Sequence, residues 1–572
     1  MKTSITGRAW RAAPYDEGIA LSLQRQLGLP RLAAVALSQR VGPADAADFL
    51  RPSLDHLHSP QAMRGMDVAV DRLQRAVVDR ESMRIVTDYD VDGTTSSLIL
   101  QGVLRLLGAK DRLSYHIPDR FVEGYGFSVR AAEQAAADGV RLIVTADIGV
   151  RDHAAVRRAR ELGVDVIVCD HHLPAGEQVP AEAVAVLCPP QAGCSYPNGA
   201  LAACGVSTKL ATALLSGKGR FAEPAAMERL MRSFLKVAAI GTIADVVDLS
   251  TLENRAIVAL GLAELAKGGH TPGLTALLEA AGVKAGEPIT SDTIGFYVGP
   301  RINAAGRLKK ATAIIELFDE VDPAQARARA AELNRLNAER QDIQEELVAL
   351  ALAQVTDPPP AFVVVDGQEE AGWHRGVVGI VAAKVREAVH RPAAIVSVYG
   401  GFGHGSVRST GDIHAVHALD AVSDLLLRYG GHAAAAGFTV KVEDIPALRS
   451  RLADWAAPRL GVEAPSLDVD LACALPELTV AAAEALAQLE PCGKGNPRPL
   501  LRLDGVRPSA VTVLKEKHLK FQVGGCTALW WRAAEHRDLL DGPVDLVAEL
   551  TVNEFHGRRT PQLRIEDLRP SR

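Results

Sequence analysis

The chain has 572 residues, a formal net charge of −6 at pH 7, 48% hydrophobic residues and 23% charged residues. This length exceeds what a single hydrophobic core supports and predicts three or four domains of ordinary globular composition. The negative net charge excludes a globally positive surface, so any binding of nucleic acid must depend on local basic patches.

No apolar run is long enough to span a membrane, and the first residues lack the continuous apolar stretch of a secretory signal. The seven cysteines form no CxxC pair and are too irregularly spaced for a usual zinc site, so we expect them to be reduced thiols. These features predict a cytoplasmic protein without membrane contact.

Residues 1–75 suggest short helices and loops without recognisable chemistry, and we interpret them as an N-terminal cap. From about residue 80 to 250, short β-like runs alternate with helical segments, which predicts a mainly parallel sheet covered on both faces. The predicted strands are 84–86, 141–146, 164–169, 183–187 and 236–243, and the helices between them include 128–138 and 152–162.

Asp322-Pro323 opens a predicted helix of roughly 30 residues, up to about residue 356, with leucines at helical spacing. It fits a connector between two lobes and an ordinary core helix equally well. A second α/β segment follows, with strands 362–365 and 394–398, helix 377–389 and a glycine-rich turn at 400–405. From residue 460 onward the pattern predicts an all-β module in the form of a small barrel, with strands at 500–503, 510–514, 519–523, 528–531, 546–549 and 562–565.

One stretch of the first α/β segment carries three aspartates at alternate positions, Asp88, Asp90 and Asp92. It lies between a predicted strand and a predicted helix. Carboxylates this close repel one another unless a cation lies among them. The loop therefore predicts one part of a divalent metal site.

Three further predicted strands also end in acidic or imidazole groups, at Asp147, at Asp170-His171-His172 and at Asp245. Ligands of open parallel sheets bind beyond the carboxyl ends of the strands, so one cluster can gather all of these groups. Carboxylates with imidazole suit Mn²⁺ or Mg²⁺, and their number suggests two ions that support attack of water on a phosphodiester. Any single aspartate could instead be a helix N-cap, but all four positions together are poorly explained that way.

Ten motifs in this order resemble those of the DHH phosphoesterases and, within them, the RecJ family of single-strand exonucleases. Along the chain they are DYDVDG at 88–93, IPDRFVEGYG at 117–126, TADIG at 145–149, DHH at 170–172, GTIAD at 241–245, PRINAAGRL at 300–308, WHRGVVGIVA at 373–382, GSVRS at 405–409, GGHAAAAGF at 430–438 and EPCGKGNP at 490–497.

The resemblance covers about residues 80–572. It implies an α/β fold with two lobes, DHH and DHHA1, joined by a long helix and followed by a C-terminal all-β OB-like barrel. The domains are then an N-terminal cap (1–75), a DHH catalytic domain (76–320), a connecting helix (321–357), a DHHA1 substrate clamp (358–459) and an OB-like nucleic-acid-binding domain (460–572). The active site is expected between the two lobes.

The same resemblance implies the metal ligands, which are Asp88, Asp90, Asp92, Asp147, His171 and Asp245. It also implies His172 as the residue that contacts the scissile phosphate, with Asp147 and Asp90 as its catalytic partners. Asp170 is expected to orient its neighbours rather than to bind metal.

Several basic and polar side chains are candidates for binding the substrate. The motifs at 117–126 and 300–308 contain Arg120, Arg301, Asn303 and Arg307. The adjoining Lys309 and Lys310 could bind phosphate or belong to a solvated turn. The second lobe offers an anion cradle of Ser406, Arg408 and Ser409, a second glycine-rich turn at Gly431-His432, and His374, which could equally be structural.

The β module combines aromatic and cationic side chains, which suits stacking on single-strand bases. Its candidates are Trp530, Trp531, Phe555 and His556, with lysines and arginines between them. Neighbouring residues of a strand point to opposite faces, so one tryptophan is expected in the core. We select Trp530 and Phe555 as the substrate contacts.

The predicted activity is a metal-dependent exonuclease that degrades single-stranded DNA to 5′-mononucleotides. The resemblance alone implies the 5′ to 3′ direction, a role in DNA repair and recombination, and cooperation with a single-strand binding protein and a helicase. We expect a monomer. Two alternatives stay open: a phosphodiesterase for short oligonucleotides or cyclic dinucleotides, and a non-catalytic single-strand binding protein.

Overall fold

The computed structural model describes residues 4–174, 176, 178–308, 311–461, 466–555 and 557–571. It forms two compact units. The first contains Met1–Asn303, Ala311–Arg327 and Ser466–Arg572, and the second contains Ala304–Lys310 and Ala328–Pro465. The candidates Lys309, Lys310 and His556 lie outside the described residues.

The N-terminal segment packs on the C-terminal module, although the two are far apart in sequence. It contains β1 (Ala9–Ala12), α1 (Glu17–Leu27), α2 (Arg31–Ser38) and α3 (Ala46–Leu50). β1 pairs in parallel with the strand Ser466–Val469, and the Trp10 indole donates to Asp567 at 2.8 Å. Apolar residues of α1, α2 and α3 share one core with the C-terminal strands. The segment therefore completes that module.

The first α/β segment forms a five-stranded parallel sheet, as the alternating pattern predicts. Its elements are α4 (Met66–Val78), β2 (Met83–Thr87), α5 (Val91–Leu106), β3 (Leu113–His116), α6 (Val129–Ala137), β4 (Leu142–Ala146), α7 (His153–Glu161), β5 (Asp165–Cys169), β6 (Ala185–Leu187) and α8 (Ala203–Leu215). The strand order is β3-β2-β4-β5-β6. Along β4, Leu142 and Val144 belong to one core and Ile143 to another, so the sheet is buried on both faces.

The predicted strand 236–243 is wrong. These residues belong to a 21-residue helix, α9 (Pro224–Ala244), which begins with a proline in its first turn. Residues 238–242, near the end of the helix, are all buried. A short apolar run of this kind has no amphipathic period and cannot be told from a buried strand by pattern alone.

Helix α9 packs so closely on α5 that a glycine is required at the contact. A Cβ atom at Gly241 would lie 2.3 Å from the Thr95 hydroxyl oxygen and 3.0 Å from Asp92 Oδ1. In contrast, a Cβ atom at Gly102 of α5 would make an ordinary contact of 3.5 Å with Phe234. The close approach places the end of α9 beside the start of α5.

Further helices complete the first unit and lead into the second. They are α10 (Leu252–Ala266), α11 (Pro272–Ala280), a π-helix (Thr293–Val298), α12 (Gly299–Leu308), α13 (Thr312–Asp319) and α14 (Pro323–Ala353). A buried ion pair at 2.6 Å joins Lys209 of α8 to Glu253 of α10. The long helix α14 has 31 residues, which confirms the prediction, and it continues from the first unit into the second.

The second unit has a five-stranded sheet in the order β10-β11-β9-β8-β7. Its elements are β7 (Val363–Gln368), α15 (Val378–Val389), β8 (Ala393–Tyr399), β9 (Phe402–Arg408), α16 (Ala415–Asp420), β10 (Leu426–Gly431), β11 (Ala435–Lys441) and α17 (Ile445–Ala456). The predicted glycine-rich turn 400–405 is shorter than expected. Only Gly400 and Gly401, with φ of 58° and 83°, form it, as two-residue hairpin turns require.

The C-terminal module has a seven-stranded, mostly antiparallel sheet in the order β13-β14-β18-β19-β17-β16-β15. Its elements are β12 (Ser466–Val469), β13 (Leu471–Ala472), α18 (Val480–Ala487), β14 (Leu501–Val506), β15 (Ser509–Leu514), β16 (His518–Val523), β17 (Cys526–Trp530), β18 (Val544–Phe555) and β19 (Arg558–Pro570). All six strands predicted from residue 500 onward are confirmed.

All seven cysteines are free thiols, as expected. Among the residues that the structure describes, none of the helices combines the length and the apolar character that crossing a bilayer requires.

Candidate metal centre

The acidic loop lies between β2 and α5. Asp88 and Asp90 follow the strand, and Asp90 caps the helix by accepting the N–H of Gly93 at 3.0 Å. A Cβ atom at Gly93 would lie 2.4 Å from the Asp88 carbonyl oxygen. The glycine therefore lets the first turn of the helix press against the loop, which brings the carboxylates together.

Asp92 is held by the N-terminus of a second helix. It is buried, and its two oxygens accept the N–H groups of Ala203 at 2.7 Å and Cys204 at 2.9 Å, at the start of α8. Burial raises the pKa of Asp92, although the backbone donors and the helix dipole favour the ionised carboxylate and oppose this shift. Two helix ends thus fix the position of this carboxylate.

Asp147 follows β4 and continues the sheet before the chain turns. Its N–H donates to the Cys169 carbonyl at 3.0 Å, and its φ of 65° lies in the left-handed region, which aspartate tolerates better than most residues. Gly149 then has φ of 115°, and a Cβ atom there would lie 2.4 Å from the Thr145 hydroxyl oxygen. This tight turn keeps the Asp147 side chain at the strand end.

Asp170 organises the two histidines that follow it. Its Oδ1 accepts the N–H of His171 at 2.7 Å, the N–H of His172 at 3.1 Å and the ring Nδ1 of His172 at 2.8 Å. Its Oδ2 accepts the N–H of Val150 at 3.0 Å. Burial raises the pKa of Asp170, but the His172 hydrogen bond and the other donors outweigh burial and hold it below its usual value. The contacts agree with an orienting role for this residue.

The strand ends and the end of α9 converge at one cluster. His171 Nε2 lies 3.2 Å from Asp147 Oδ1, 3.7 Å from Asp245 Oδ2 and 3.9 Å from Asp92 Oδ2. Three groups have their ligand atoms within 4.8 Å of one another, and together they include all six predicted ligands. The groups are Asp88-Asp90-Asp147, Asp92-His171-Asp245 and Asp147-His171-His172.

Asp245 reaches this cluster by a route that differs from the prediction. It follows the C-terminus of α9 instead of a strand. The close contact at Gly241 carries the end of that helix to the start of α5, where Asp92 lies. The predicted neighbourhood is therefore right, but the element that delivers the residue is not.

The electrostatics of the cluster favour a bound cation. Burial and then the neighbouring carboxylates raise the pKa of Asp88 and Asp147 well above the usual value, and raise the pKa of Asp245 to about 8. Burial lowers the pKa of His171, although Asp92 opposes the shift. The ring is therefore uncharged at neutral pH, and a ring nitrogen can bind a metal ion. A divalent cation would relieve this repulsion.

The donor set also fits such a cation. Among the described residues, the buried atoms Asp88 Oδ1 and His171 Nε2 have no hydrogen-bond partner. Buried polar atoms in this state call for a ligand or an ion. Carboxylate oxygens with one or two imidazoles suit Mn²⁺ or Mg²⁺. One set around Asp88 and another around Asp245, linked by the Asp147–His171 contact, provide ligands for two ions.

Two side chains of the 117–126 motif lie beside the centre. The guanidinium of Arg120, a predicted substrate contact, lies 4.0 Å from the ring centroid of Tyr89, inside the acidic loop. The Tyr125 hydroxyl lies 3.3 Å from His172 Nε2. Tyr125 could not be identified from the sequence, because a tyrosine in a loop carries no chemical signal without its neighbours.

Other predicted substrate contacts lie on α12 or in the second unit. Arg301 donates to the Tyr297 carbonyl at 2.6 Å, and Asn303 is half-buried two residues further along. In the second unit, Arg307 donates to the Gly376 carbonyl at 3.0 Å, and His374 Nδ1 accepts the Gly376 N–H at 3.1 Å. Arg307 and His374 therefore meet at the turn before α15.

The predicted anion cradle is built from a strand and a helix start. Ser406 and Arg408 lie on β9, and the Arg408 guanidinium donates to the Ser406 hydroxyl at 3.0 Å. A Cβ atom at Gly379, in the first turn of α15, would lie 3.0 Å from Arg408 Nη2. Ser409 does not belong to this set, because it is buried and its hydroxyl donates to the Ile413 carbonyl.

The second predicted glycine-rich turn is the end of a strand and the start of a connection. Gly431 is the last residue of β10, and a Cβ atom there would lie 2.3 Å from the Ala435 carbonyl oxygen. His432 follows, exposed, with its Nδ1 accepting the Ala434 N–H at 3.3 Å. His432 can therefore face a ligand, whereas Gly431 permits close approach of two strands.

The choice of Trp530 as a substrate contact is wrong. Trp530 is 7% exposed and stacks on His536 in the core of the module, whereas Trp531 is 54% exposed. Trp530 is the last residue of β17 and Trp531 follows it, and one ring is buried while the other is exposed, as expected, but the sequence does not say which. Phe555 is exposed at the tip of the β18–β19 hairpin.

Three family models match the chain. Residues 82–242 match the DHH family, N-terminal domain, residues 359–457 match the DHHA1 domain, and residues 469–567 match the RecJ OB domain. The chain is 34% identical to the single-stranded-DNA-specific exonuclease RecJ of Bacillus subtilis (strain 168), over 98% of this chain and 70% of that protein.

Solved structures show the same similarity. The crystal structure of RecJ in complex with Mn²⁺ from Thermus thermophilus matches with a TM-score of 0.83 at 32% identity, over 98% of this chain and 80% of that chain. The Mg²⁺ complex from the same organism matches with a TM-score of 0.77 at 31% identity, over 98% of this chain and 78% of that chain.

Proposed function

Since the chain belongs to the RecJ family of single-stranded-DNA-specific exonucleases, we propose that it degrades single-stranded DNA from the 5′ end to 5′-mononucleotides in DNA repair and recombination. The observation that carries this proposal is the convergence of five carboxylates and one imidazole on a single buried cluster. Such a cluster suits hydrolysis of a phosphodiester and has no evident structural purpose, because it is strongly self-repelling.

Asp88, Asp90, Asp92, Asp147, His171 and Asp245 would hold two Mn²⁺ or Mg²⁺ ions, and the relatives of known structure were crystallised with these metals. When bound, such ions lower the pKa of water and stabilise negative charge that develops on the phosphate. Asp147 faces both sets of ligands, since it belongs to the group around Asp88 and also contacts His171. Asp147 would therefore contribute to both sets of ligands.

His172 is placed to donate a proton or a hydrogen bond to the phosphate. Burial lowers its pKa, but the Asp170 hydrogen bond and the nearby carboxylates outweigh burial and raise it to about 9. Asp170 binds Nδ1 and so directs Nε2 outward, toward the Tyr125 hydroxyl. A protonated ring in this orientation would offer Nε2–H to a phosphate oxygen. We assign catalysis to His172, Asp147 and Asp90.

The cradle of the second unit would bind a terminal phosphate. The side chains of Arg408 and Ser406, on β9, lie next to Gly379 in the first turn of α15. Backbone N–H groups and the helix dipole favour an anion there. Arg408 is half-buried, which strengthens a charged contact with phosphate. We propose that this set, with Arg307, His374 and His432 from the same unit, binds the 5′-phosphate end of the strand.

The remaining contacts to DNA would come from Arg120, Arg301 and Asn303 in the first unit and from exposed aromatic residues of the β module. Trp531 and Phe555 supply ring faces for stacking, and Lys520 and Arg558 lie nearby in sequence on the same sheet.

We also propose a cytoplasmic monomer that works with a single-strand binding protein and a helicase. The seven free thiols support a reducing compartment. The proposed partners rest on family membership alone.

The test is a nuclease assay with 5′-labelled single-stranded and duplex oligonucleotides of the same sequence. With Mn²⁺ the purified chain should release labelled 5′-mononucleotides from the single strand only, and chelation of the metal should stop release. Asp147→Ala should abolish turnover while leaving strand binding largely intact. Asp342→Ala, at an exposed position of α14, is the matched control and should behave as the wild type.

A length series tests the alternatives. Activity restricted to oligomers of two to five nucleotides would favour the small-substrate phosphodiesterase. Tight binding with no nucleotide released at any Mn²⁺ concentration would favour the non-catalytic binding protein.

A further inference from the structure

A cavity of about 410 Å³ lies within the first unit, against the segment that carries Asp245. Three segments enclose it: the end of α9 with the loop after it, the π-helix, and the turn that leads into the β module. Ala244 and Val246 both line the cavity, so the proposed ligand Asp245 lies between two wall residues. The cavity therefore lies beside Asp245, whose charge also interacts with that of Lys494 in the cavity lining.

The loop after the ligand adopts a backbone conformation that its residue disfavours. Val246 has a φ of 56°, which is exceptional for a β-branched side chain. The residue is nevertheless 59% exposed, so core packing does not explain its position. Strained residues of this kind cluster at functional sites. Here the strained residue is both the neighbour of Asp245 and part of the cavity wall.

The π-helix part of the lining presents an aromatic ring to solvent. Phe296 lines the cavity and is 72% exposed, although a phenylalanine is normally buried. It belongs to the π-helix Thr293–Val298, a conformation that is rare and often marks functional sites. Thr242 and Ser291 add hydroxyl groups to the lining, but Ser291 already donates to Glu490 at 2.9 Å.

Two cations line the cavity, and only one is available to a ligand. Arg498 is committed to three carboxylates, with contacts of 2.8 Å to Asp292, 3.1 Å to Glu490 and 2.8 Å to Glu549. Lys494 is exposed and forms no salt bridge with any residue in the described part of the chain, although its charge interacts with that of Asp245. The rim thus offers one ammonium group next to an apolar interior.

We propose that this cavity receives a nucleobase of the strand that is being cleaved, with Phe296 as the stacking face and Lys494 as the contact to an adjacent phosphate. The inference rests on the proposed exonuclease function and adds the residues that position the strand. An apolar cavity with one cation at its rim matches the two chemical parts of a nucleotide, and its volume is within the usual range for small-molecule sites. Few free polar groups line it, so it would accept any base, as a nuclease without sequence preference requires.

The test compares Phe296→Ala with Tyr297→Ala. Tyr297 is the matched control, because it is also an exposed aromatic residue of the π-helix but does not line the cavity. Each protein is assayed with 5′-phosphorylated oligonucleotides that carry one abasic site at successive positions from the 5′ end. For the wild type and Tyr297→Ala, an abasic site at one of these positions should raise KM by roughly tenfold, which is the effect expected when one stacked base is lost.

Phe296→Ala should show the raised KM on the intact strand, an unchanged kcat, and no further effect of the abasic site at that position. Lys494→Gln should raise KM and reduce its dependence on salt concentration, because one phosphate contact is lost. The lysine is exposed, so this second variant tests the idea even if Phe296→Ala fails to fold.

The outcomes separate this inference from the proposed function. If the wild type releases no nucleotide with Mn²⁺, the exonuclease proposal fails first. If the wild type is active but Phe296→Ala and Lys494→Gln keep its KM on every substrate, the cavity does not bind the strand. If the two variants lose only inhibition by free mononucleotide, the cavity holds released product and the inference is overturned.

Discussion

Asp170→Asn is the substitution that most directly tests how the metal centre is organised. Asp170 is buried and accepts four hydrogen bonds, three at Oδ1 and one at Oδ2. Asparagine has the same shape but only one carbonyl oxygen. Whichever way the amide is turned, its NH₂ group faces a donor: the Val150 N–H in one orientation, the His171 and His172 donors in the other.

The magnitude follows from these contacts. One buried N–H left without a partner costs about 1–3 kcal/mol, and the remaining bonds weaken because their acceptor is no longer charged. We expect the free energy of unfolding to fall by roughly 2–4 kcal/mol. Loss of a residue that orients an active-site histidine should also lower kcat by roughly 10- to 100-fold.

The pH profile gives a second readout. Asp170 is the main influence that raises the pKa of His172, while burial lowers it. Protonated His172 is the proposed active form, so activity should be present below its pKa and lost as the pH rises through it. In Asp170→Asn burial prevails, the pKa falls, and the basic limb of the kcat profile should lie at lower pH than in the wild type.

Urea unfolding and the pH dependence of single-strand cleavage measure both effects. Asp165→Asn is the control, because Asp165 lies at the other end of β5 and binds Arg72 at 2.6 Å. It should reduce stability without moving the basic limb. If Asp170→Asn loses stability but keeps the wild-type kcat and the wild-type limb, Asp170 does not act through His172 and the reasoning is refuted.

Three further predictions concern the scaffold and the β module. Lys209→Met leaves a buried carboxylate without its cation and should lower the free energy of unfolding by about 3–5 kcal/mol in urea, so a value near the wild type would contradict a structural role for this ion pair. Gly241→Ala should reduce both stability and calorimetric Mn²⁺ affinity because α9 must move away from α5, whereas Gly102→Ala should be neutral or stabilising by up to about 1 kcal/mol. Trp531→Ala should weaken single-strand binding in fluorescence anisotropy without changing Tm, whereas Trp530→Ala should lower stability by about 3–5 kcal/mol.

The parallel sheet and the ligands at its strand ends could be predicted because two simple rules apply together. Strand–helix alternation fixes the parallel arrangement, and parallel strands bring their carboxyl ends to one edge. Asp88, Asp147 and His171 follow three adjacent strands in this way. No further information is needed to expect them near one another.

The parts that could not be predicted depend on tertiary contacts. The segment before Asp245 is a buried helix whose pattern matches a strand, and only packing against α5 and α8 decides between them. The exposed face of β17 depends on which side the core lies, so Trp530 and Trp531 could not be ranked. Tyr125 gains a role only because its loop folds back to His172.

A buried arginine and a backbone hydrogen bond fix the segment that leads into the β module against the part of the first unit that carries Asp245. Arg255 of α10 is buried and donates to the carbonyls of residues 489–491 and of Phe49, with its guanidinium 3.5 Å from the Phe49 ring centroid. Beside it, the N–H of Leu249 donates to the Lys494 carbonyl at 2.8 Å, four residues after the ligand Asp245. A buried arginine that satisfies several carbonyls holds a connection in one conformation, unlike a solvated linker. A base that stacks on the module would therefore lie at a fixed distance from the proposed metal ligands.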